Sequence, residues 1–170
     1  MHPLVRLAKL AVEKYIKEKE VISPPSDLPR EFLEKKAGVF VTIEKNGNLR
    51  ACIGTYLPTR ESIAEETIRN AIAAATEDWR FGPIQKQELP FLSYIVYILS
   101  PPEPVKEIEE LDPKKYGIVV RSGLKTGLLL PDLEGVDTVE KQILIACQKA
   151  GIEPAKEKLS LYRFTVQKYR

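Results

Sequence analysis

The chain has 170 residues, 44% of them hydrophobic and 29% charged, a globular composition with enough length for a buried core. Its 26 basic and 24 acidic side chains leave no bulk field to gather nucleic acid or an anionic membrane, and the single histidine, His2, excludes Ser-His-Asp and Cys-His catalysis in their usual form as well as histidine-rich zinc sites. The longest apolar stretch, residues 94–99, is far short of the roughly 20 residues that cross a bilayer.

Two cysteines are no disulfide framework, and charges interrupt the apolar pattern at the N-terminus where a signal core would be continuous. A reduced, cytoplasmic setting without a membrane role is therefore expected. High Lys and Glu with little Met and Cys points to a heat-adapted source, in which a Cys52 to Cys147 bond is allowed. Neither GxxxxGK[ST] nor GxGxxG occurs, so the common phosphate loops are absent. No cofactor and no metal are expected.

In chain order, residues 4–19 carry an apolar stripe at helical spacing: Leu4, Leu7, Ala8, Ala11, Tyr15, Ile16. The SPPSDLP run at 23–29 is a connector leading to Phe32 and Leu33. Residues 38–55, GVFVTIEKNGNLRACIGT, read as a β-hairpin around Asn46-Gly47. A three-residue loop, Lys45 to Gly47, pairs Ile43 with Leu49, Val41 with Ala51 and Val39 with Ile53, which makes one face apolar. Phe40, Thr42, Arg50 and Cys52 then share the other face. A guanidinium beside a thiol favours thiolate, and the bare backbone of Gly54 near a helix start would add to the positive field. The competing reading is that Cys52 packs as a small hydrophobe, as free cysteines commonly do.

A helix over 61–79 follows, capped by Ser62 with Glu65 or one turn earlier by Thr59, with Ala64, Ile68, Ala71, Ile72, Ala75 and Trp79 inward. Asp78 and Arg80 at its end either pair with each other or reach back to the Cys52 face. Residues 93–100, SYIVYILS, are apolar on both faces like a central strand, and prolines 101, 102 and 104 mark the domain boundary. Residues 105–111 are acidic and helical in part. A second hairpin spans 117–130 around Ser122-Gly123, where Lys125, Thr126 and Gly127 suit either an anion or a solvated turn. A helix capped by Asp137 or Thr138 runs to Ala150, with Cys147 on its buried stripe and Gly151 at its stop. One last strand is expected over 159–166, and the basic, aromatic YRFTVQKYR end is weak evidence of RNA contact.

LRACIGTY at 49–56 resembles the signature of the AMMECR domain family, whose pattern is Leu-Arg-Gly-Cys-Ile-Gly, with alanine here at position 51. DWRFGP at 78–83, the run from Glu88-Leu89 and GIVVRSGLKTGLLLP at 117–131 are similar to further family stretches in the same order. The resemblance implies an α+β protein of two unequal subdomains, each an antiparallel sheet flanked by helices, with a cleft between them near the signature. Residues 1–104 plus 152–170 are expected in the larger part and 105–151 in the smaller. Prokaryotic members are known as protein A of the AmmeMemoRadiSam set, which implies Memo-like and radical-SAM proteins as partners and no established activity.

Three functions are open at this point. In the first, an enzyme or enzyme component, Cys52 is nucleophile or covalent carrier, Arg50 lowers its pKa, and Gly54, Thr55, Asp78, Arg80 and Glu88 bind an unknown small molecule. In the second, a protein-interaction scaffold, the signature serves only the fold. In the third, a nucleic-acid factor, balanced charge argues against the role.

Overall fold

The computed structural model describes residues 1–170. Helix α1, Pro3–Glu18, starts where the His2 ring nitrogen Nδ1 accepts the Leu4 N–H at 3.2 Å, with Pro3 at a position that needs no donor. Its expected stripe is buried through Leu4, Leu7, Ala8 and Ala11. A short helix α2, Arg30–Glu34, buries Phe32. Strands β1, Gly38–Lys45, and β2, Asn48–Thr55, form the first hairpin, followed by α3, Ile63–Glu77, a 3-10 turn over Lys86–Phe91, and β3, Leu92–Leu99. Then come β4, Glu103–Val105, β5, Gly117–Ser122, β6, Lys125–Leu129, α4, Val139–Ala150, β7, Ser160–Phe164, and β8, Val166–Tyr169. No helix is long and apolar enough to cross a membrane.

The strands form two four-stranded sheets, ordered β2-β1-β3-β8 and β4-β7-β5-β6. The hairpin and strand pairings in both are antiparallel, and each sheet has its own helices, which makes the protein α+β as expected. In the first core, Val39, Val41, Ile43, Ala51, Val96 and Ile98 pack with Leu4, Ala8, Val12 and the alanine-rich face of α3. In the second, Ile118, Val120 and Leu129 pack with Ala146 and Cys147 of α4. Alanines on α3 bring helix and sheet close, and β3, a central strand, is buried on both faces from Tyr94 to Leu99, as its unbroken apolar run implies.

The hairpin register differs from the expected one. Asn46 and Gly47 have φ of 51° and 81°, the two positive values of a two-residue type I′ turn, so Lys45 pairs with Asn48 and Glu44 with Leu49. Ile43 then pairs with Ala51, because Arg50 is an extra residue in a β-bulge. Val41 consequently faces Ile53 and Val39 faces Thr55, and Leu49 is exposed instead of packed. The expected segregation of faces survives from Ala51 onward, since the bulge restores the parity that a two-residue turn alone would have inverted.

The chain divides into Met1–Leu99 with Gln167–Arg170, and Ser100–Val166. Residues 100–104 and 152–166, expected with the larger part, belong to the smaller one because β4 and β7 pair with each other and β7 with β5. The single strand expected over 159–166 is two strands in two sheets, interrupted at Thr165, whose N–H donates to Ser100 Oγ at 2.8 Å. Residues 105–111 hold only a 3-10 turn, Ile108–Glu110, behind β4.

Candidate functional site

β2 and the turn after α3 meet through four charged side chains. The Arg50 guanidinium grips Glu88 with Nε to Oε1 at 2.9 Å and Nη2 to Oε2 at 3.1 Å, and donates to the carbonyls of Gly82 and Pro83 at 3.1 and 3.2 Å. Both side chains are about seven-eighths buried, with exposures of 14% and 13%. Glu88 also accepts from Lys45 Nζ at 3.0 Å and the Gln85 N–H at 2.7 Å. The Arg50 bonds lower its pKa, burial opposes them, and the Gln85 N–H and Lys45 reinforce them, so the carboxyl is held down at about 2.

Asp78 is the second anchor. It leaves the helical region at the end of α3 and receives the Cys52 N–H at 3.0 Å, the Arg80 N–H at 3.3 Å, and Arg80 Nε and Nη2 at 2.9 and 2.8 Å. Burial pushes its carboxyl up, but the bonds from Arg80 and the Cys52 N–H outweigh it and the net shift is downward. Arg80 Nη2 also donates to the Cys52 carbonyl at 3.3 Å. Asp78 and Arg80 therefore do both things the sequence left open: they pair with each other and reach the backbone of Cys52.

The hydrogen bonds of the Arg50 guanidinium run to the far side of the turn after α3, to Glu88 and residues 82–83. The Cys52 sulfur is half-buried and accepts from the Thr42 hydroxyl at 3.2 Å, while the Arg80 guanidinium reaches the Cys52 backbone carbonyl. Neither cysteine is in a disulfide, and Cys147 is buried, where desolvation raises its thiol pKa.

Gly54 and Thr55 are engaged in packing. Gly54 pairs with Phe40 across the hairpin, and a Cβ there would lie 2.2 Å from the Phe40 ring, so the glycine makes room for the aromatic side chain. Thr55 Oγ1 donates to Glu66 at 3.1 Å and accepts from Asn70 at 3.2 Å. Trp79, expected inward, is 88% exposed because α3 stops at Glu77 and Asp78 turns the chain away from the helical stripe. Two cavities, of about 540 and 610 Å³, have no signature residue in their walls.

The AMMECR1 family model matches residues 5–169. The chain belongs to the AMMECR1 family. A 52% identical AMMECR1 relative from Thermotoga maritima is matched over 99% of this chain and 98% of its own length, and a 42% identical one from Thermococcus kodakarensis over 96% and 86%. A Clostridium acetobutylicum relative is 45% identical over 99% of this chain, yet the match spans 36% of that protein, so the AMMECR1 domain is there one part of a longer polypeptide. Among solved structures, the crystal structure of an uncharacterized Pyrococcus horikoshii protein superimposes with a TM-score of 0.89 at 36% identity, covering 97% of this chain and 88% of that one.

Two polar residues of this AMMECR1 domain escaped the sequence reading. Glu66 is fully buried and gathers four donors: the hydroxyls of Thr55 and Thr59 at 3.1 and 2.6 Å, and the N–H groups of Thr59 and Arg60 at 2.6 and 3.0 Å. Asn70, one turn further along α3, donates to the Val39 carbonyl at 2.9 Å. The available signal was their spacing of four between Ala64 and the alanines that begin at Ala71, which places both on the face that packs against the sheet.

Proposed function

We propose that this AMMECR1 domain is a docking module whose signature holds an aromatic turn in fixed shape for a partner protein. The observation that carries the reading is Trp79, 88% exposed on a turn that is otherwise fully tethered. Phe81 and Gly82 donate N–H bonds to the Asp78 carbonyl, Ile84 donates to Ala75, and Arg50 holds the carbonyls of 82 and 83 from the β2 side. Phe81 is 40% exposed, and the Arg80 guanidinium lies 5.1 Å from its ring centroid. A tryptophan presented without loss of backbone freedom is the kind of residue that dominates interface energetics, because the ordering cost has already been met in folding.

The chemistry of the loop defines its partner: a protein with an apolar socket for the indole and for the exposed edge of Phe81. A Memo-like or radical-SAM protein, the partners that the family resemblance implies, is the candidate. The clostridial relative, in which the domain is joined to further polypeptide, supports work alongside another protein unit. Trp79→Ala is expected to weaken binding to the Memo-like protein of the same genome by tenfold or more, of the order of 2 kcal/mol, with the thermal midpoint unchanged. Calorimetric titration checks it; equal affinity of the variant, or no binding by the unmodified chain, would sink the reading.

A second reading is favoured by the sulfur. Cys52 is partly accessible, outside any disulfide, and has a hydroxyl donor and Arg80 close by, an environment that stabilises thiolate. In that reading Cys52 is the nucleophile or covalent carrier of an enzyme component, with Arg80 in the supporting role first given to Arg50. Alkylation by iodoacetamide across pH, against Cys52→Ser as blank, is expected to reach half its maximal rate well below the ordinary thiol value of about 8.5. A rate that rises only near that value would leave Cys52 structural.

A further inference from the structure

The second unit has a polar cavity of about 610 Å³ between the β5–β6 turn and the segment entering β7, within the size range of small-molecule sites. Its walls include Arg121, Lys158, Ser160 and Tyr162, with Ser122 and Glu157 at one side. The pairing of β5 with β7 sets Arg121 directly across from Ser160, and Tyr162, two residues along β7, lies on the same face as Ser160.

The charge balance inside the cavity is uneven. Glu157 is fully engaged: Lys125 Nζ reaches its two oxygens at 3.2 and 3.3 Å, the Ser122 hydroxyl donates at 3.3 Å, and the Glu153 N–H at 2.7 Å. Lys125 neutralises that carboxylate and donates its remaining bond to the Gly151 carbonyl at 3.0 Å. Arg121 and Lys158 form no ion pair, and the Ser160 and Tyr162 hydroxyls donate to no protein acceptor. Two positive charges are therefore left over on the wall of one concave space, beside two hydroxyls and an aromatic ring.

The alternative anion position suggested by Lys125-Thr126-Gly127 is closed. Lys125 is taken by Glu157, and a Cβ at Gly127 would lie 2.2 Å from the Ala146 carbonyl oxygen, so this backbone is packed against α4.

We propose that this cavity binds a small phosphate monoester, its dianion held by Arg121 and Lys158 with hydrogen bonds from Ser160 and Tyr162 and its organic part lying against the Tyr162 ring. A guanidinium and an ammonium match the charge of one terminal phosphate, and the guanidinium fork matches its oxygens. A bounded cavity with two unpaired cations suits one phosphate; a nucleic-acid strand would call for a stripe of cations along several phosphates.

The test is calorimetric titration of the full chain with adenosine 5′-monophosphate, glucose 6-phosphate, adenosine, glucose and oligouridylate. Both phosphorylated compounds are expected to bind better than their unphosphorylated counterparts, with affinity falling as salt rises. The stronger of the two assigns the organic part as nucleoside or sugar, and either ranking supports the site. Arg121→Gln and Lys158→Gln are each expected to weaken binding about tenfold; both positions are exposed, and circular dichroism checks that the variants remain folded. Equal affinity for phosphorylated and unphosphorylated compounds, no binding of either, or unchanged affinity in the two variants overturns the proposal. Preference for oligouridylate over the monoesters overturns it in favour of a nucleic-acid surface.

Discussion

Glu88→Gln is expected to destabilise the larger unit by on the order of 3 kcal/mol at neutral pH, because it leaves the Arg50 guanidinium in a space only 14% exposed without its counter-charge. The pH dependence gives an independent check. The Glu88 carboxyl titrates at about 2 in the folded chain against 4.5 as its reference value. Since the folded value is the lower one, the unfolded chain binds the extra proton, and the contribution is fully present above the reference value and lost as pH falls through about 2. A shift of this size corresponds to roughly 3 kcal/mol, in line with the substitution. Urea denaturation of both proteins from neutral pH down to about 2 should show the gap between them closing as Glu88 protonates. A gap that stays constant across that range would mean the clamp owes nothing to the carboxylate charge.

The second large effect belongs to Glu66. Glu66→Gln keeps the shape, but a neutral amide oxygen replaces the charged acceptor of the Thr59 and Arg60 N–H groups, and the new NH₂ faces the Thr55 and Thr59 hydroxyls, which both donate to the carboxylate. With charge-assisted bonds contributing about 1.5–3 kcal/mol each and water recovering part of the loss, a cost of about 3 kcal/mol is expected. The effect should be local as well as global: the Thr59 and Arg60 amides exchange with solvent faster, while those of the β1–β3 pairing slow or quicken only with overall stability. Hydrogen exchange resolved by residue distinguishes the two. Unchanged protection at Thr59 would show that the 55–60 segment is held by something other than the buried carboxylate.

The parts of the fold legible in the sequence are those set by local chemistry. Helix α1, the two hairpins, the Ser62 and Thr138 caps and the Gly151 stop all follow from periodicity and from residues that satisfy end groups within a turn or two. Apart from the first hairpin's turn, where a two-residue loop plus a bulge preserves the same faces as a three-residue loop, what was not legible depends on partners distant in the chain. Trp79 continues an apolar stripe, but Asp78 leaves the helical region before it and its carboxylate takes the N–H of Cys52, 26 residues away. Arg50 reads as a neighbour of the sulfur because adjacency along a strand is visible, whereas its bond to Glu88, 38 residues on, is not. The division at 152–166 failed for the same reason: a strand's alternation does not say which sheet receives it. Glu66 was passed over because an acidic residue early in a helix is ordinarily solvated.

The bulge at Arg50 separates two properties that share one strand. Ile43 pairs with Ala51 and Glu44 with Leu49, so a chain lacking that one residue would retain every match across the hairpin. Such a deletion would cost nothing in alignment and would sever the tether to residues 82–83 and Glu88. Sheet assembly thus places no demand on the arginine, and its presence is accounted for by the posture of the turn it restrains.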